Sequence, residues 1–426
     1  LSLSLSLSLS LSLSLSEVGN GRESPAGMEP ETALELVKRG ATLLLLDVPP
    51  FTLLGIDTQV FNVGPAFKGI KMIPPGPHFV FYSSSSRDGN DFAPITGFFV
   101  DAAPSQVIVR KWDRQEERLV RVAEDEEERY QQAVRSLEFD RHLGPYTLNR
   151  YGEWNRLSNY LTKSVIERIE PIGGDITVAS ESDAVKSNSK SMMEKTLDEQ
   201  LKTSKFSTHI PAERAERKGC FYTPIPRVIK RKGMNVNELT SLNLDKTQLL
   251  ERVLMKDYQG SEDLLLGELQ FTFVAFLMGQ SLEAFLQWKS LVSLLLGCTE
   301  APFRTRSQLF TKFIKVIYYQ LKYALQKDGT ESNGTGVGAA SLLDESWFSA
   351  DSFLYQLCKE FVLLVQDASV IDGDLLLWTR KLRELLEKCL GWQFQPKFAA
   401  EEGMMFDEDD EFAPVVEMLD DSVSAT

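Results

Sequence analysis

The sequence predicts an α+β protein in which a β-rich N-terminal domain precedes an all-α C-terminal domain. Short apolar runs between Pro and Gly corners occupy residues 41–112, which is typical of strands joined by turns. Six apolar stripes at helical spacing occupy residues 248–390, and the polar stretch between these regions lacks hydrophobic periodicity. The predicted boundaries are a β-rich domain at 28–170, a flexible linker at 171–232, an α-helical domain at 233–397 and an acidic tail at 398–426.

Residues 1–16 are eight Leu-Ser pairs that precede the first Met of the chain. The run has neither the basic start nor the continuous apolar stretch of a signal peptide. A CT dinucleotide repeat read as codons gives the same Leu-Ser alternation. We therefore expect residues 1–27 to be translated leader outside the native protein, with Met28 as the natural start.

The β-rich domain is expected to begin with a short helix from Met28 to Gly40, because Pro30 suits a first helical turn and Gly40 suits a helix end. The apolar run Ala41–Val48 then predicts a strand that two prolines close. Two more strands are predicted further on, at Thr96–Val100 and Gln106–Trp112.

The stretch from Asn62 to Ser83 predicts a strand, a rigid corner and a second strand. Pro74-Pro75-Gly76-Pro77 forms the corner, because each Pro fixes φ, lacks a donor N–H and keeps the residue before it extended. The aromatic and β-branched run His78–Tyr82 is the second strand. We interpret the glycines of this stretch as corner residues and not as a phosphate cradle, because a strand follows them.

The rest of the first domain is expected to be polar and then helical. Acids and arginines dominate Asp113–Arg129, which is typical of a solvated helix or loop. An apolar stripe over Tyr151–Ile169 predicts one amphipathic helix that docks on the sheet and ends the domain at Pro171. The six helices of the second domain are predicted at Gln248–Tyr258, Leu264–Met278, Leu282–Leu296, Gln308–Gln326, Asp351–Gln366 and Asp374–Leu390.

Several motifs are shared with one known family. The first block contains Gly55-Ile56-Asp57, then VGPxFxGIKMIPPGxHFxxYSS from Val63 to Ser84, and then Gly97-Phe98-Phe99. The corner Leu143–Tyr146 and the run GELQFxFVxFL from Gly267 to Leu277 continue the pattern. Together these motifs resemble the Aar-two family of pre-mRNA splicing factors on both sides of the linker.

The resemblance implies a VHS-like helical stack for the second domain and a noncatalytic function. The family binds the large scaffold protein of the U5 small nuclear ribonucleoprotein (U5 snRNP) through that protein's RNase-H-like and Jab/MPN-like domains. Such binding takes place in a cytoplasmic precursor particle and keeps the RNA helicase off the scaffold until the factor leaves in the nucleus. The resemblance thus implies an assembly factor or chaperone of the spliceosome that is cytoplasmic and nuclear.

Composition also favours a protein partner. The formal net charge is −15, whereas a general nucleic-acid-binding surface needs clustered Lys and Arg; direct RNA contact is left open. The four cysteines lie far apart, so the sequence predicts neither a zinc ribbon nor a disulfide framework. The chain contains no apolar run of the length of a transmembrane helix, so we expect no membrane partner.

The sequence does not contain the residues of a recognisable catalytic site. His78, His142 and His209 lie on different segments, and no nucleophile, metal or nucleotide motif accompanies them. We therefore predict no enzyme activity, metal, cofactor or small-molecule substrate. His78 and the adjacent Phe79 are candidate partner contacts, although a structural histidine at the rim of the domain is the favoured interpretation of His78.

An aromatic stripe in the helical domain has two interpretations. It could line a peptide-binding groove, but core packing is favoured, because residues at this spacing on consecutive helices meet each other first. Its members are Phe271, Phe273, Phe276, Phe285 and Trp288.

The acidic tail is a second candidate for partner binding. Glu401–Asp421 contains ten acids, yet an apolar, β-prone island, Phe412–Leu419, lies within it. We predict that this island adds as an edge strand to a partner. The alternative is an unstructured acidic terminus. The predicted contacts are Phe412, Val415, Val416 and Met418.

Two classes of function are compatible with the sequence. The first is the spliceosomal assembly factor that the motifs imply. The second is a VHS-type adaptor in membrane trafficking, suggested by the type of helical domain alone. Such adaptors usually carry a basic, membrane-directed patch, and neither predicted domain is strongly basic. Identification of the copurifying partner distinguishes the two.

Overall fold

The structure is a computed structural model that describes residues 39–85, 92–178, 219–226, 243–325 and 352–394, together with Asn235 and Thr240. The expected leader, the helix before residue 39, most of the linker and the acidic tail lie outside these residues. A region built mainly of strands precedes a region built of helices, so the α+β prediction is confirmed. The VHS-like arrangement of the helices stays a prediction.

Within the described residues, strands predominate up to Thr177 and only helices follow. The described strands are β1 (Ala41–Leu46), β2 (Leu53–Ile56), β3 (Gln59–Asn62), β4 (Gly69–Ile73), β5 (Gly76–Ser83), β6 (Thr96–Ala102), β7 (Val107–Asp113), β8 (Arg118–Val120), β9 (Leu143–Pro145) and β10 (Ile176–Thr177). The described α-helices are α1 (Glu124–Arg135), α2 (Tyr151–Ser158), α3 (Lys163–Ile169), α4 (Thr247–Asp257), α5 (Glu262–Leu277), α6 (Leu282–Leu296), α7 (Ala301–Arg304), α8 (Ser307–Leu325), α9 (Phe353–Asp367) and α10 (Gly373–Leu390).

The strands form two five-stranded sheets that pack face to face. The first sheet has the order β8-β7-β1-β4-β9, and the second has the order β10-β6-β5-β2-β3. Strand β1 is parallel to β7 and antiparallel to β4, whereas β5 is antiparallel to both of its neighbours. Residues from both sheets, among them Ile56, Ile70, Val80 and Ile108, form the core between them.

The central strands are apolar on both faces because both faces are covered. In β1, Leu43 faces the space between the sheets, whereas Leu44 packs with Val134 of α1 on the outer side. In β5, Val80 faces the same space and Phe79 faces the helices. Successive side chains of a strand point to opposite faces, so an uninterrupted apolar run marks a strand in a middle layer.

Helix α5 is the centre of the helical half. It contacts α2, α3, α6 and α8, and every residue from Leu265 to Leu277 is buried. A helix that is apolar nearly all round belongs in an interior. One hydrophobic core joins α5 to Phe99 and other residues on the outer face of the second sheet. The two predicted domains therefore share a core.

Two predictions of local structure are wrong. The single helix predicted over Tyr151–Ile169 is broken after α2, and α3 restarts with Thr162 as its N-cap, whose hydroxyl accepts from the Val165 N–H. The segment Asp113–Arg129, predicted as a solvated helix or loop, contains β8 before α1 begins. Strand β8 forms there because Leu119 is buried in the core between the sheets.

The helices predicted in the second half are confirmed to within two residues at each end, and Leu282–Leu296 has the predicted bounds. The short helix α7 was not predicted. Among the described helices, none combines the length and the apolar composition that crossing a membrane requires.

Candidate functional site at the junction of the sheets and the helices

A buried carboxylate, Asp57, organises one end of the second sheet. It lies in the turn between β2 and β3 with a φ of 55°, in the left-handed region that Asp adopts more readily than most residues. Its Oδ1 accepts the Phe79 N–H at 3.0 Å. Its Oδ2 lies 2.6 Å from His78 Nδ1 and accepts the Tyr146 hydroxyl at 2.7 Å. Residues from three separate family motifs therefore meet at one carboxylate.

This arrangement holds His78 as a cation. Its Nδ1 faces the Asp57 carboxylate, and its Nε2 lies 2.6 Å from the carbonyl oxygen of Pro74. Both partners are acceptors, so both ring nitrogens have to donate, which requires the protonated imidazole. Burial lowers the pKa of His78, but the Asp57 carboxylate and the Pro74 carbonyl outweigh it, so the pKa is raised above 6.5. Burial and the same carboxylate raise the pKa of the Tyr146 phenol.

The Pro corner supplies fixed acceptors at this end of the sheet. The carbonyl of Pro77 accepts the indole N–H of Trp154 at 2.9 Å, as that of Pro74 accepts from His78. The Trp154 ring also stacks on the His78 imidazole, with 6.4 Å between the ring centroids. Because Trp154 belongs to α2, the corner determines where α2 docks on the second sheet.

These contacts correct the predicted roles of His78 and Phe79. Both residues are fully buried, so His78 is neither a partner contact nor a rim histidine in this structure, and Phe79 has no surface for a partner. The Asp57–His78 pair cannot serve a nucleophile, because the His78 Nε2 is bound to a backbone carbonyl. Among the described residues, no group of three or more His, Cys, Asp and Glu side chains is placed to hold a metal ion.

Aromatic rings lead from this site to the helices. Phe79 packs against Phe99 of β6 with 4.7 Å between centroids, and Phe99 stacks on Phe271 of α5 with 4.5 Å between centroids. A Cβ at Gly97 would lie 2.3 Å from the Phe79 ring. The glycine of the Gly97-Phe98-Phe99 motif therefore leaves the space for this ring.

The GELQF motif forms the helical side of the junction. A Cβ at Gly267 would lie 2.7 Å from the Tyr160 carbonyl oxygen and 2.7 Å from Val165, so this glycine allows α5 to approach α3 closely. The Gln270 Oε1 accepts the Tyr160 N–H at 2.7 Å, and its Nε2 donates to Asn159 Oδ1 at 2.8 Å. Gln270 thus binds the chain where α2 ends and accounts for the break before α3.

Glu268 is a buried carboxylate that accepts four hydrogen bonds. Its Oε1 accepts from the Thr223 N–H and the Gln287 Nε2, both at 2.8 Å. Its Oε2 accepts from the Thr223 hydroxyl at 2.7 Å and the Tyr258 hydroxyl at 3.0 Å. Arg168 donates to the Thr223 hydroxyl at 2.8 Å and lies 4.7 Å from the centre of the Tyr258 ring. Burial and the Glu268 carboxylate raise the pKa of Tyr258.

The Glu268 network joins three separate parts of the chain. Arg168 belongs to α3, Thr223 to the segment 219–226 within the predicted linker, and Glu268 to α5. The Phe221 N–H also donates to the Ile169 carbonyl at 2.8 Å. A fully hydrogen-bonded buried network rigidifies its surroundings. The segment 219–226 is therefore fixed between α3 and α5.

The aromatic stripe of the helical half is core, as predicted. Its five members, from Phe271 to Trp288, are each 3% exposed or less. The Trp288 indole N–H donates to the buried Gln320 at 3.0 Å. The stripe therefore does not line a groove. The four predicted tail contacts, Phe412, Val415, Val416 and Met418, lie outside the described residues.

Sequence reasoning gave no role to Asp57, Glu268 or Gln270. A signal for the last two existed, because they are polar residues within a helix that is otherwise almost wholly apolar. Such residues have to find buried partners. Asp57 carries no comparable signal, since its partners His78 and Tyr146 are 21 and 89 residues away.

Both sides of the junction match one family of known proteins. The family model of the AAR2 N-terminal domain matches residues 39–171, and that of the AAR2 C-terminal repeat region matches residues 222–395. The Protein AAR2 homolog of Homo sapiens is 33% identical over 304 residues, which cover 69% of this chain and 78% of that protein. The Protein AAR2 homolog of Caenorhabditis elegans is 28% identical over 382 residues, which cover 86% and 98%. The chain therefore belongs to the AAR2 family.

Proposed function

We propose that this chain is a noncatalytic assembly factor of the U5 snRNP in pre-mRNA splicing. The observation that carries the proposal is membership of the AAR2 family, with matches to both of its regions. The geometry is compatible with it, because Asp57, His78 and Glu268 of the shared motifs are buried and hydrogen-bonded to residues from distant parts of the chain. A framework fixed in this way presents a preorganised surface, which lowers the entropy cost of binding a protein.

The proposed partner is the large scaffold protein of the U5 snRNP, bound through its RNase-H-like and Jab/MPN-like domains. By occupying these domains, the chain keeps the RNA helicase off the scaffold while the particle is assembled. This role requires no membrane, cofactor or small-molecule substrate. We place it in a cytoplasmic precursor particle, with release of the chain in the nucleus.

The acidic tail is the proposed second contact with the scaffold. The island Phe412–Leu419 adds as a strand to an exposed sheet edge, where backbone pairs supply affinity and alternate pockets hold its side chains. Val415 and Val416 favour the extended state, and Pro414 fits a position where the ladder needs no N–H. The flanking acids speed the encounter with a basic surface.

Affinity capture of the tagged full chain, followed by mass spectrometry, tests this function. We expect the large U5 scaffold protein as the main partner. Truncation after Ala400 should weaken its binding severalfold and leave the melting temperature unchanged. Capture of coat or sorting proteins in its place would favour an adaptor in membrane trafficking and contradict the proposal.

A further inference from the structure

Aromatic and cationic side chains cluster on the outside of α8 and α10. Tyr318, Tyr319 and Trp378 are half-buried, and their ring centroids lie 5.2 to 5.9 Å apart. The ammonium groups of Lys315 and Lys381 lie 5.3 Å and 4.3 Å from the centre of the Trp378 ring. The Arg156 guanidinium of α2 lies 5.4 Å from the Tyr319 ring. We call these six residues the cationic-aromatic patch.

The cations of the patch are available to an anionic partner. Helix α8 contains three lysines and no Asp or Glu. Lys312 pairs with Asp263 at 3.0 Å, whereas Lys315 and Lys381 form no ion pair with any described residue. Both lysines and Arg156 are exposed. A contact with an aromatic ring leaves the other side of an ammonium group free to meet a carboxylate or a phosphate.

The chain itself contains a segment of complementary chemistry. Residues 398–426 hold ten Asp and Glu and no Lys or Arg, so they carry ten of the fifteen excess negative charges. Phe406 and Phe412 stand within the acidic run. The segment therefore offers carboxylates to the cations of the patch and rings to its aromatic surface.

The tail begins where it can reach the patch. Helix α10 ends at Leu390, and the chain after it is held by Trp392 and Phe394, whose rings pack on Tyr355. Trp378 lies about three turns earlier, on the order of 18 Å along the helix. Residues 395–401 can span roughly 23 Å when extended. A tether this short gives an effective concentration of roughly millimolar, which favours the tail over a free anion.

We propose that the acidic tail docks in cis on the cationic-aromatic patch. Carboxylates of residues 401–421 pair with Lys315, Lys381 and Arg156, and the tail phenylalanines pack beside Trp378. Because the pairs are exposed, they are screened by salt and reversible. Docking closes the patch to nucleic acid and holds the tail in place until a partner draws it away.

Carbodiimide cross-linking tests the contact, because it joins a carboxylate and an amine without a spacer. On the intact chain, we expect Lys315 and Lys381 to cross-link to residues 401–421 severalfold more than Lys163 and Lys256, which are also exposed but lie outside the patch. Mixing isotope-labelled with unlabelled chain separates contacts within one chain from those between copies. Equal yields at all four lysines, or cross-links between copies alone, would overturn the proposal.

A variant of the patch and an RNA probe test whether the tail or a nucleic acid occupies the patch. Trp378→Ala keeps both lysines and removes the central ring, so it should lower the patch cross-links severalfold, while Lys256→Gln should not change them. Melting temperatures verify that each variant is folded. We expect a short fluorescent oligouridine not to bind the intact chain. If it binds and Lys315→Gln with Lys381→Gln releases it, the occupant is nucleic acid and the tail proposal is wrong.

Discussion

The rings of Phe99 and Phe271 stack with their centroids 4.5 Å apart, and this contact joins strand β6 to helix α5. Both rings lie in the core that the sheet half and the helical half share. Unfolding of either half would expose the core of the other. We therefore expect the two halves to unfold in a single cooperative transition.

The Phe99–Phe271 contact can be measured by mutation. Phe271→Ala should lower the free energy of unfolding by about 3–5 kcal/mol, the usual loss for a buried aromatic residue. A double-mutant cycle with Phe99→Ala should give a coupling of about 1 kcal/mol. Urea unfolding, followed by fluorescence and circular dichroism, measures both quantities. Phe51→Ala, at a position that is 61% exposed, is the control. Separate transitions for strands and helices would contradict the shared core.

Loss of the Glu268 carboxylate should release the segment 219–226. Glu268→Ala leaves the donors of Thr223, Tyr258 and Gln287 without their acceptor, so it should cost on the order of 3 kcal/mol. Amide hydrogen exchange within residues 219–226 should also become faster. Glu167→Ala, whose side chain is 61% exposed, is the matched control and should change the stability by less than about 0.5 kcal/mol. A Glu268→Ala variant as stable as the control would disprove the role of this network.

The raised pKa of His78 predicts how the free energy of unfolding changes with pH. Its pKa in the folded chain is raised above 6.5, the value for the unfolded chain, so the folded state binds this proton more tightly. The stabilisation by the Asp57–His78 pair is therefore complete below about pH 6.5 and is lost as the pH rises through the folded pKa. The free energy of unfolding of the wild type minus that of His78→Gln should be largest in acid and should shrink on going to alkaline pH. Urea unfolding across this range measures it, and a difference that grows with pH would show the sign to be wrong.

Gly69 and Gly76 should differ in their tolerance of a methyl group. Both have positive φ, 143° and 124°. A Cβ at Gly69 would lie 2.0 Å from the Leu43 carbonyl oxygen, whereas one at Gly76 would meet no atom within 4 Å. Gly76→Ala should therefore cost backbone strain alone, about 1–3 kcal/mol. Gly69→Ala should cost more, because it also separates β4 from β1. Thermal unfolding ranks the two variants, and the reverse order would contradict this explanation.

The sequence was sufficient for features that depend on local periodicity. Leu282–Leu296 shows an apolar stripe between Ser and Gly, and its helix has the predicted bounds. His78–Tyr82 is β-prone and follows a Pro corner, and β5 contains it. Both patterns are complete within about fifteen residues, so they can be recognised without the rest of the chain.

The junction could not be predicted because its contacts are distant in sequence. The break inside Tyr151–Ile169 depends on Gln270, which binds the Tyr160 N–H from 110 residues away. Strands β2 and β3 were not predicted, because their turn contains Asp57 and Thr58 rather than the glycine that usually marks a two-residue hairpin. His78 was assigned to the rim because its burial depends on Asp57, which the sequence pattern does not connect to it.

Competition for the large U5 scaffold protein tests the proposed function most directly. A scaffold fragment that carries the RNase-H-like and Jab/MPN-like domains is immobilised, saturated with the labelled RNA helicase and titrated with this chain. We predict that bound helicase decreases as the chain binds, and that the chain truncated after Ala400 requires a severalfold higher concentration. If the helicase and the chain bind the fragment together without loss of either, the chain does not exclude the helicase and the proposed function is wrong.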